Sequence, residues 1–272
     1  MPQDPFQQKK DSILAEIRSS ETDLSPKGTI DELCLPIMDL INSHKDMVTT
    51  SSCSGRVSVF VEGNKVHEKS LKTGGKGEGG RWLFVTHDYT ALPSWMDKFR
   101  HEIEFDTEFK ETLTPSKRYI LYKFEPFILH VKCRDFQSAS KLFNAAMSCG
   151  FRESGIGSNN IVALRINIKL DIPIGYLNEA TSRLVFFVNE KYIELIDGLA
   201  LGKFKENTRK MKELYQIIEN QIINPEITTK STKVIETKEE RRERKRREGL
   251  LKQRMLLETQ NADLMEELNE TP

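Results

Sequence analysis

The chain has 272 residues and 41 Lys+Arg against 41 Asp+Glu, a formal net charge of zero. Hydrophobic residues make up 38 % and charged residues 30 %, enough for one core of about 200 residues plus a more solvated part, and unlike a disordered chain. No run of roughly 18 apolar residues could cross a membrane as a helix, Met1-Pro-Gln-Asp-Pro-Phe6 predicts no secretory signal, and four scattered cysteines point to a reducing, cytosolic setting rather than a disulfide framework or zinc ribbon.

Taken in chain order, Ile30, Leu33, Cys34, Ile37, Leu40 and Ile41 recur at helical spacing and predict an amphipathic helix with Asp31 as its cap. Residues 47–51 and 56–61 read as two short strands around a tight Ser-Cys-Ser-Gly turn. Residues 81–87 read as a strand after a glycine-rich loop, and 94–105 as a helix. Residues 118–123 and 127–133 read as strands separated by Pro126. Asp135 caps a helix whose apolar face is Phe136, Ala139, Leu142, Phe143, Ala146 and Met147, and Gly150 stops it. Residues 160–170 alternate in polarity as one half-buried strand. Residues 183–188 form a last strand, followed by one or two helices to Ile223 with the stripe Met211, Leu214, Tyr215, Ile218 and Ile222. Helix-then-strands order, with few strand-helix-strand crossovers, predicts an α+β fold with a mostly antiparallel sheet and not a Rossmann-type one.

The domain boundaries follow. Residues 1–225 form the folded domain and 226–235 a Thr/Lys-rich linker. Residues 236–272 read as a charged helical tail with a basic block and Leu250, Leu257 and Leu264 at heptad spacing.

Three segments carry candidate chemistry. In Thr49-Thr-Ser-Ser-Cys-Ser-Gly-Arg56, small polar residues, a glycine and a guanidinium could cradle a carboxylate or phosphate through Ser52, Ser54, Gly55 and Arg56. Cys53 as a nucleophile would need a base that the sequence does not place, so it reads as a buried or spectator thiol. In Gly74-Gly-Lys-Gly-Glu-Gly-Gly80, followed by Arg81-Trp82, the spacing fits neither a P-loop nor a dinucleotide fingerprint. The loop is either a plain linker or one that lets Lys76 and Gly77 approach an anion, with Trp82 able to stack on a base. In the third, His130 lies inside the strand pattern that leads to Arg134, and Gly150-Phe-Arg-Glu-Ser-Gly155 follows a helix later. His87 and His130 could each take a proton near neutral pH, and Arg134, Arg152 and Arg165 supply positive charge. The scattered Cys and His residues show no metal-ligand spacing, so no metal is expected.

Together these segments are specific. Ser51-Ser-Cys-Ser-Gly-Arg56, the Gly-Gly-Lys-Gly loop with Trp82 and His87, Glu125-Pro126 with His130-Val131 and Arg134, and Gly150-Phe-Arg-Glu-Ser-Gly155 resemble the wybutosine-synthesizing methyltransferase family, the third enzyme of that tRNA pathway. The resemblance runs from about Phe6 to Tyr215 and includes Asp23-Leu-Ser-Pro-Lys-Gly28, Lys191-Tyr192 and Glu206-Asn207. It implies an α+β fold around a barrel-like sheet with flanking helices. It also implies transfer of a methyl group from S-adenosyl-L-methionine to N4 of the aminocarboxypropyl-demethylwyosine base, 3′ of the anticodon in the anticodon loop of phenylalanine tRNA; the cysteine usage above sets the expected location as cytoplasmic. On that reading His87 and His130 are candidate catalytic residues. Ser52, Cys53, Ser54, Gly55, Arg56, Lys76, Gly77, Trp82, Arg134, Ser154, Gly155 and Arg165 are candidate donor- or substrate-binding residues. The alternatives are a non-catalytic RNA-binding module, or an interaction protein working through its basic tail.

Zero net charge would by itself argue against an RNA partner, but it hides a mosaic. Residues 241–254 hold eight Lys/Arg against two Glu, residues 52–87 six against three, and residues 88–114 three against seven acids. Binding responds to such local fields, which reach about 10 Å at physiological salt, rather than to their sum.

Overall fold

A computed structural model of the chain describes residues 4–19, 29–64, 79–108, 110, 112–225, 242, 243, 246 and 247. By contacts the chain separates into Met1–Pro225 and Glu226–Pro272, and everything below concerns the first unit. Apart from 242, 243, 246 and 247, the tail expected to be helical lies outside the described residues, as do the loop residues Lys76 and Gly77.

The framework is two long antiparallel strands. β1 (Met47–Val61) and β4 (Tyr119–Cys133) pair from Met47↔Cys133 to Val61↔Ile120. This corrects the reading of four short strands. The Ser-rich segment is not a turn: Ser51, Ser52 and Cys53 stand opposite His130, Leu129 and Ile128. Pro126 does not end β4: it lies opposite Gly55 within the continuous register.

β2 (Arg81–Thr86) pairs with β1 only from Val57 to Val61. Tyr89–Phe99 then runs as 3-10 turns capped by Asp88, with Pro93 inside. It gives way to β3 (Ile103–Phe105), so the single helix expected over 94–105 is not there. Phe136–Ser148 forms α3, capped by Asp135 through the Ser138 N–H at 2.7 Å, and Gly150 ends it with φ +96°. The strand expected over 160–170 divides. β6 (Ile161–Arg165), with β5 (Gly155–Ile156) beside it, pairs with the second half of β4. β7 (Leu170–Asn178) pairs with its first half. β8 (Arg183–Phe186) closes the order β2-β1-β4-β7-β8-β3, with every described pairing antiparallel except β3 with β8. The sheet curls as a half-barrel, with β2 and β3 as its two edges.

Helices cover the inner face. α1 (Pro5–Arg18) has no counterpart in the sequence pattern, because it buries only Phe6 and Lys10. Lys10 is a helix residue turned inward, its ammonium donating to the carbonyls of Asn42 and His44. α2 (Leu35–Ser43), entered through a turn at Glu32–Cys34, buries Ile37, Met38 and Ile41 as its spacing requires. α4 (Glu190–Ile218) runs 29 residues, capped by Asn189, and lays Ile193, Ile196, Ala200, Phe204, Asn207, Met211 and Leu214 against the sheet. Between helices and sheet lie Val57, Val59, Tyr122, Phe124, Phe127 and Leu129, each at 1 % exposure or less. Burial of each of the larger side chains stabilises the fold by about 1.5–3 kcal/mol before entropy is counted.

Candidate functional site

The site begins where β2 leaves β1. β1 is held by β4 along its whole length, but β2 joins it only at Val57, opposite Thr86. Upstream of that point β1 has no described strand partner on this edge, and the residue after β2, His87, leaves the ladder. The Ser54 N–H would be an orphan on this edge, and such groups need a partner. Asp31 supplies it: its Oδ2 accepts from the Ser54 N–H at 2.9 Å and from the Ser54 hydroxyl at 3.1 Å. Asp31, only 7 % exposed, makes no capping hydrogen bond to the turn that follows it. The Ser54 N–H and hydroxyl are thus engaged by the protein's own carboxylate, and Asp31 serves the strand edge rather than capping the turn.

The bend is fixed from α4. Asn207, 1 % exposed, inserts its amide between β1 and β4. Its Nδ2 donates to the Ser54 carbonyl and its Oδ1 accepts from the Phe127 N–H, both at 2.8 Å. One side chain thus takes the place of one rung of the ladder. The approach is tight. A Cβ on Gly55, whose φ is +102°, would lie 3.1 Å from Asn207 Nδ2 and 3.2 Å from the Glu125 carbonyl. Only glycine meets both demands at low cost.

Around this bend the side chains sort by face. Ser52 turns inward, its hydroxyl 3.4 Å from Met38 Sδ. Ser51 and Cys53 face the other way. Cys53 Sγ lies 3.6 Å from His87 Nε2, and the same nitrogen is 3.6 Å from Asp31 Oδ2. Burial, the largest influence, pushes the Cys53 thiol up, away from the thiolate form that a nucleophile needs. Ser51 Oγ is 2.7 Å from His130 Nδ1. Phe127, Leu129 and Val131 fill the core face of β4, so His130 projects from the opposite one. Arg165, opposite Ile128 on β6, shares that face. Burial first, and then the Arg165 charge, hold the His130 imidazole below its usual 6.5. It is therefore neutral, and able to accept a proton, at neutral pH.

A cleft of about 520 Å³ opens at the fork, lined by Asp31, Glu32, Leu33, Ser54, Val85, Thr86, His87 and Asp88. That size is within the ordinary range for ligand sites. Its described lining holds three carboxylates and neither Lys nor Arg, so it favours a cationic group.

The other expected site residues separate into two sets. Ser154 and Gly155 stay with the His130 face: Ser154 Oγ accepts from the Arg165 N–H at 3.1 Å, and Gly155 stands opposite Ala163, which stands opposite His130. Arg56 borders the bend but is committed to Glu125 at 2.7 Å. Trp82 and Arg134 are elsewhere. Trp82 packs edge-on to Phe60 at 5.1 Å, at the far end of β2. Arg134 pairs with Asp46 and Asp4 and covers the Phe6 ring at 4.6 Å, fastening α1 to the sheet. Sequence reasoning gave Asp31 only a capping role and Asn207 none. No local signal could have done better, since their partners are 23 and 153 residues away in the chain.

This architecture is shared with a solved protein. The structure of the PH1069 protein from Pyrococcus horikoshii OT3 superposes with a TM-score of 0.61 at 26 % identity, covering 80 % of this chain and 95 % of that one. The class defined by fold and fork is thus an antiparallel α+β half-barrel with a polar cleft beside β1. Sequence comparison then fixes the family: the model described as Methyltransferase TYW3 matches residues 8–220, and the chain belongs to that methyltransferase family. It is 61 % identical to tRNA wybutosine-synthesizing protein 3 of Saccharomyces cerevisiae, over 95 % of this chain and 98 % of that protein. It is 40 % identical to the protein of the same description in Schizosaccharomyces pombe, over 80 % and 88 % of the two chains.

Proposed function

We propose that the protein methylates N4 of the aminocarboxypropyl-demethylwyosine base, 3′ of the anticodon in phenylalanine tRNA, with S-adenosyl-L-methionine as donor. Family membership and the two yeast relatives named for wybutosine synthesis support this reading. The observation that carries it is the fork itself: Ser51 and Cys53, one pleat apart on β1, each reach an imidazole, His130 and His87, beside an open cleft.

The residues fit the donor by charge. Asp31, Glu32 and Asp88 would hold its sulfonium and ammonium groups. Bound there, the donor supplies an electrophilic methyl carbon. The remaining task is positioning, because in-line displacement needs donor and acceptor aligned. Such a donor would give up its methyl carbon to N4 with the C–S bonding pair leaving on sulfur. The proton displaced from N4 goes to an imidazole, His130 or His87, with Ser51 and Asp31 holding the respective rings. Arg165 and its neighbours on the His130 face suit the negative phosphates of the anticodon loop. A cytoplasmic location belongs to the reading and is supported by four free cysteines.

The test is single-turnover methylation by His87→Ala and His130→Ala. Loss of a general base lowers the rate by roughly 10²–10⁴, and at least one variant is expected to show that loss. Wild-type rates in both would remove the proton-acceptor assignment.

A further inference from the structure

We infer that Asp31 Oδ2, Cys53 Sγ and His87 Nε2 form a binding site for a divalent transition-metal ion of the Zn²⁺ type. The three atoms lie within 4.8 Å of one another. Both measured edges of this triangle, from Nε2 to Sγ and from Nε2 to Oδ2, are 3.6 Å.

Two features separate this arrangement from a hydrogen-bonded relay. In a relay the imidazole uses its two nitrogens for two partners. Here thiol and carboxylate both converge on Nε2, and one nitrogen cannot accept from the thiol while donating to the carboxylate. The separations also match tetrahedral coordination. Zn–N and Zn–O bonds of about 2.0 Å and a Zn–S bond of about 2.3 Å place donor atoms about 3.3–3.6 Å apart. One nitrogen, one sulfur and one oxygen select a borderline-soft cation over Mg²⁺ or Ca²⁺, which prefer all-oxygen shells.

The surroundings are those of a built site. Asp31 is 7 % exposed and its Oδ2 accepts from the Ser54 N–H and hydroxyl; a metal ion bound there would take the place of the longer bond, from the hydroxyl, and keep the N–H as outer-sphere support. The bend that aims Cys53 is fixed by Asn207 and Gly55. His87 and Asp31 line the cleft, which gives an entry path and a fourth position for water or a ligand. The inference goes beyond the methyl-transfer reading. A bound metal would take the His87 lone pair and leave His130 as proton acceptor, and it would compete with a cationic donor for the cleft.

The experiment is calorimetric titration of the chelator-stripped full-length protein with Zn²⁺, in parallel with Co²⁺ followed by absorption. One saturable site per chain is expected, with a thiolate-to-cobalt charge-transfer band. Cys53→Ser should abolish the band and, like His87→Ala, weaken Zn²⁺ binding at least tenfold. Thermal melts of the metal-free variants identify any that fail to fold, and the wild-type band reports sulfur ligation without a variant. Absence of saturable binding, or a cobalt spectrum without the band, overturns the site. Methylation assayed in chelator is independent of this result, so the two readings fail separately.

Discussion

Among single residues, Asn207 and His130 carry the sharpest consequences. Replacing Asn207 by Leu leaves the Ser54 carbonyl and the Phe127 N–H buried without a partner, and each such loss costs roughly 1–3 kcal/mol. The variant is expected to lose roughly 2–5 kcal/mol in chemical denaturation. Asn207→Asp keeps the acceptor for Phe127 but sets a buried carboxylate against the Ser54 carbonyl, so it should lose at least as much as Leu at neutral pH and recover part of the loss in acid. Wild-type stability in either variant would mean that the bridging amide does not hold the bend. His130 makes a prediction in pH. Its folded-state value lies below 6.5, chiefly through burial and next through Arg165. Between the folded and unfolded values the unfolded chain binds the extra proton, so this contribution to stability is present above 6.5 and is lost as pH falls toward the folded value. The acid limb of the single-turnover methylation rate should likewise lie below 6.5. Arg165→Gln should move it upward while leaving the part due to burial. A limb that stays in place would remove Arg165 from the environment of His130. Sequence named His130 and Arg165 but not their relation, because strand register alone makes them neighbours.

For whole elements, alternation and capping were legible where a segment is packed by its own periodicity. α2, α3 and α4 follow their apolar stripes, and Asp135 and Gly150 bound α3 as their chemistry requires. The merging of four short strands into two has one physical origin: local turn signals overruled by long-range pairing. Ser-Cys-Ser-Gly and Pro126 both look like chain reversals, yet they stand opposite each other in one ladder and are reconciled by an amide from α4. α1 was invisible because its buried stripe contains a lysine. The docking of α4 on the sheet supplies a further test. Tyr122 donates to Asp197 Oδ1 at 2.8 Å, and burial raises the Asp197 carboxyl to about 6. A raised carboxyl binds its proton more tightly in the folded state, so stability falls as pH climbs from the unfolded value through about 6. Asp197→Asn keeps an acceptor for Tyr122 and removes the buried charge. It is expected to stabilise the protein at pH 7 by roughly 1–2 kcal/mol and to flatten that pH dependence. Destabilisation at pH 7 would show that the carboxylate itself is needed there.

On the scale of the whole molecule, neutrality conceals a division of labour. The cleft is lined by carboxylates, while the face with His130 presents Arg165. Under the proposed function a cationic donor would meet the carboxylates of the cleft and a polyanionic acceptor the neighbouring Arg165 patch. The fold class was legible from element order, because a scarcity of strand-helix-strand crossovers already excluded a doubly wound sheet. The curl was implied by the family resemblance alone, and the fork was not legible, since it depends on where β2 stops pairing. Chain ending at Pro225 is expected to keep its single-turnover methylation rate while binding tRNA more weakly, with a smaller dependence on salt, because the strongly basic block at 241–254 is gone. Equal salt dependence in both chains would exclude the tail from RNA contact. The most direct measurement of the central claim is methyl transfer to phenylalanine tRNA carrying the aminocarboxypropyl-demethylwyosine base, read by mass spectrometry of the released nucleoside. The account predicts one added methyl, on N4, dependent on S-adenosyl-L-methionine. An unchanged nucleoside, or a methyl group on any other atom, would contradict it.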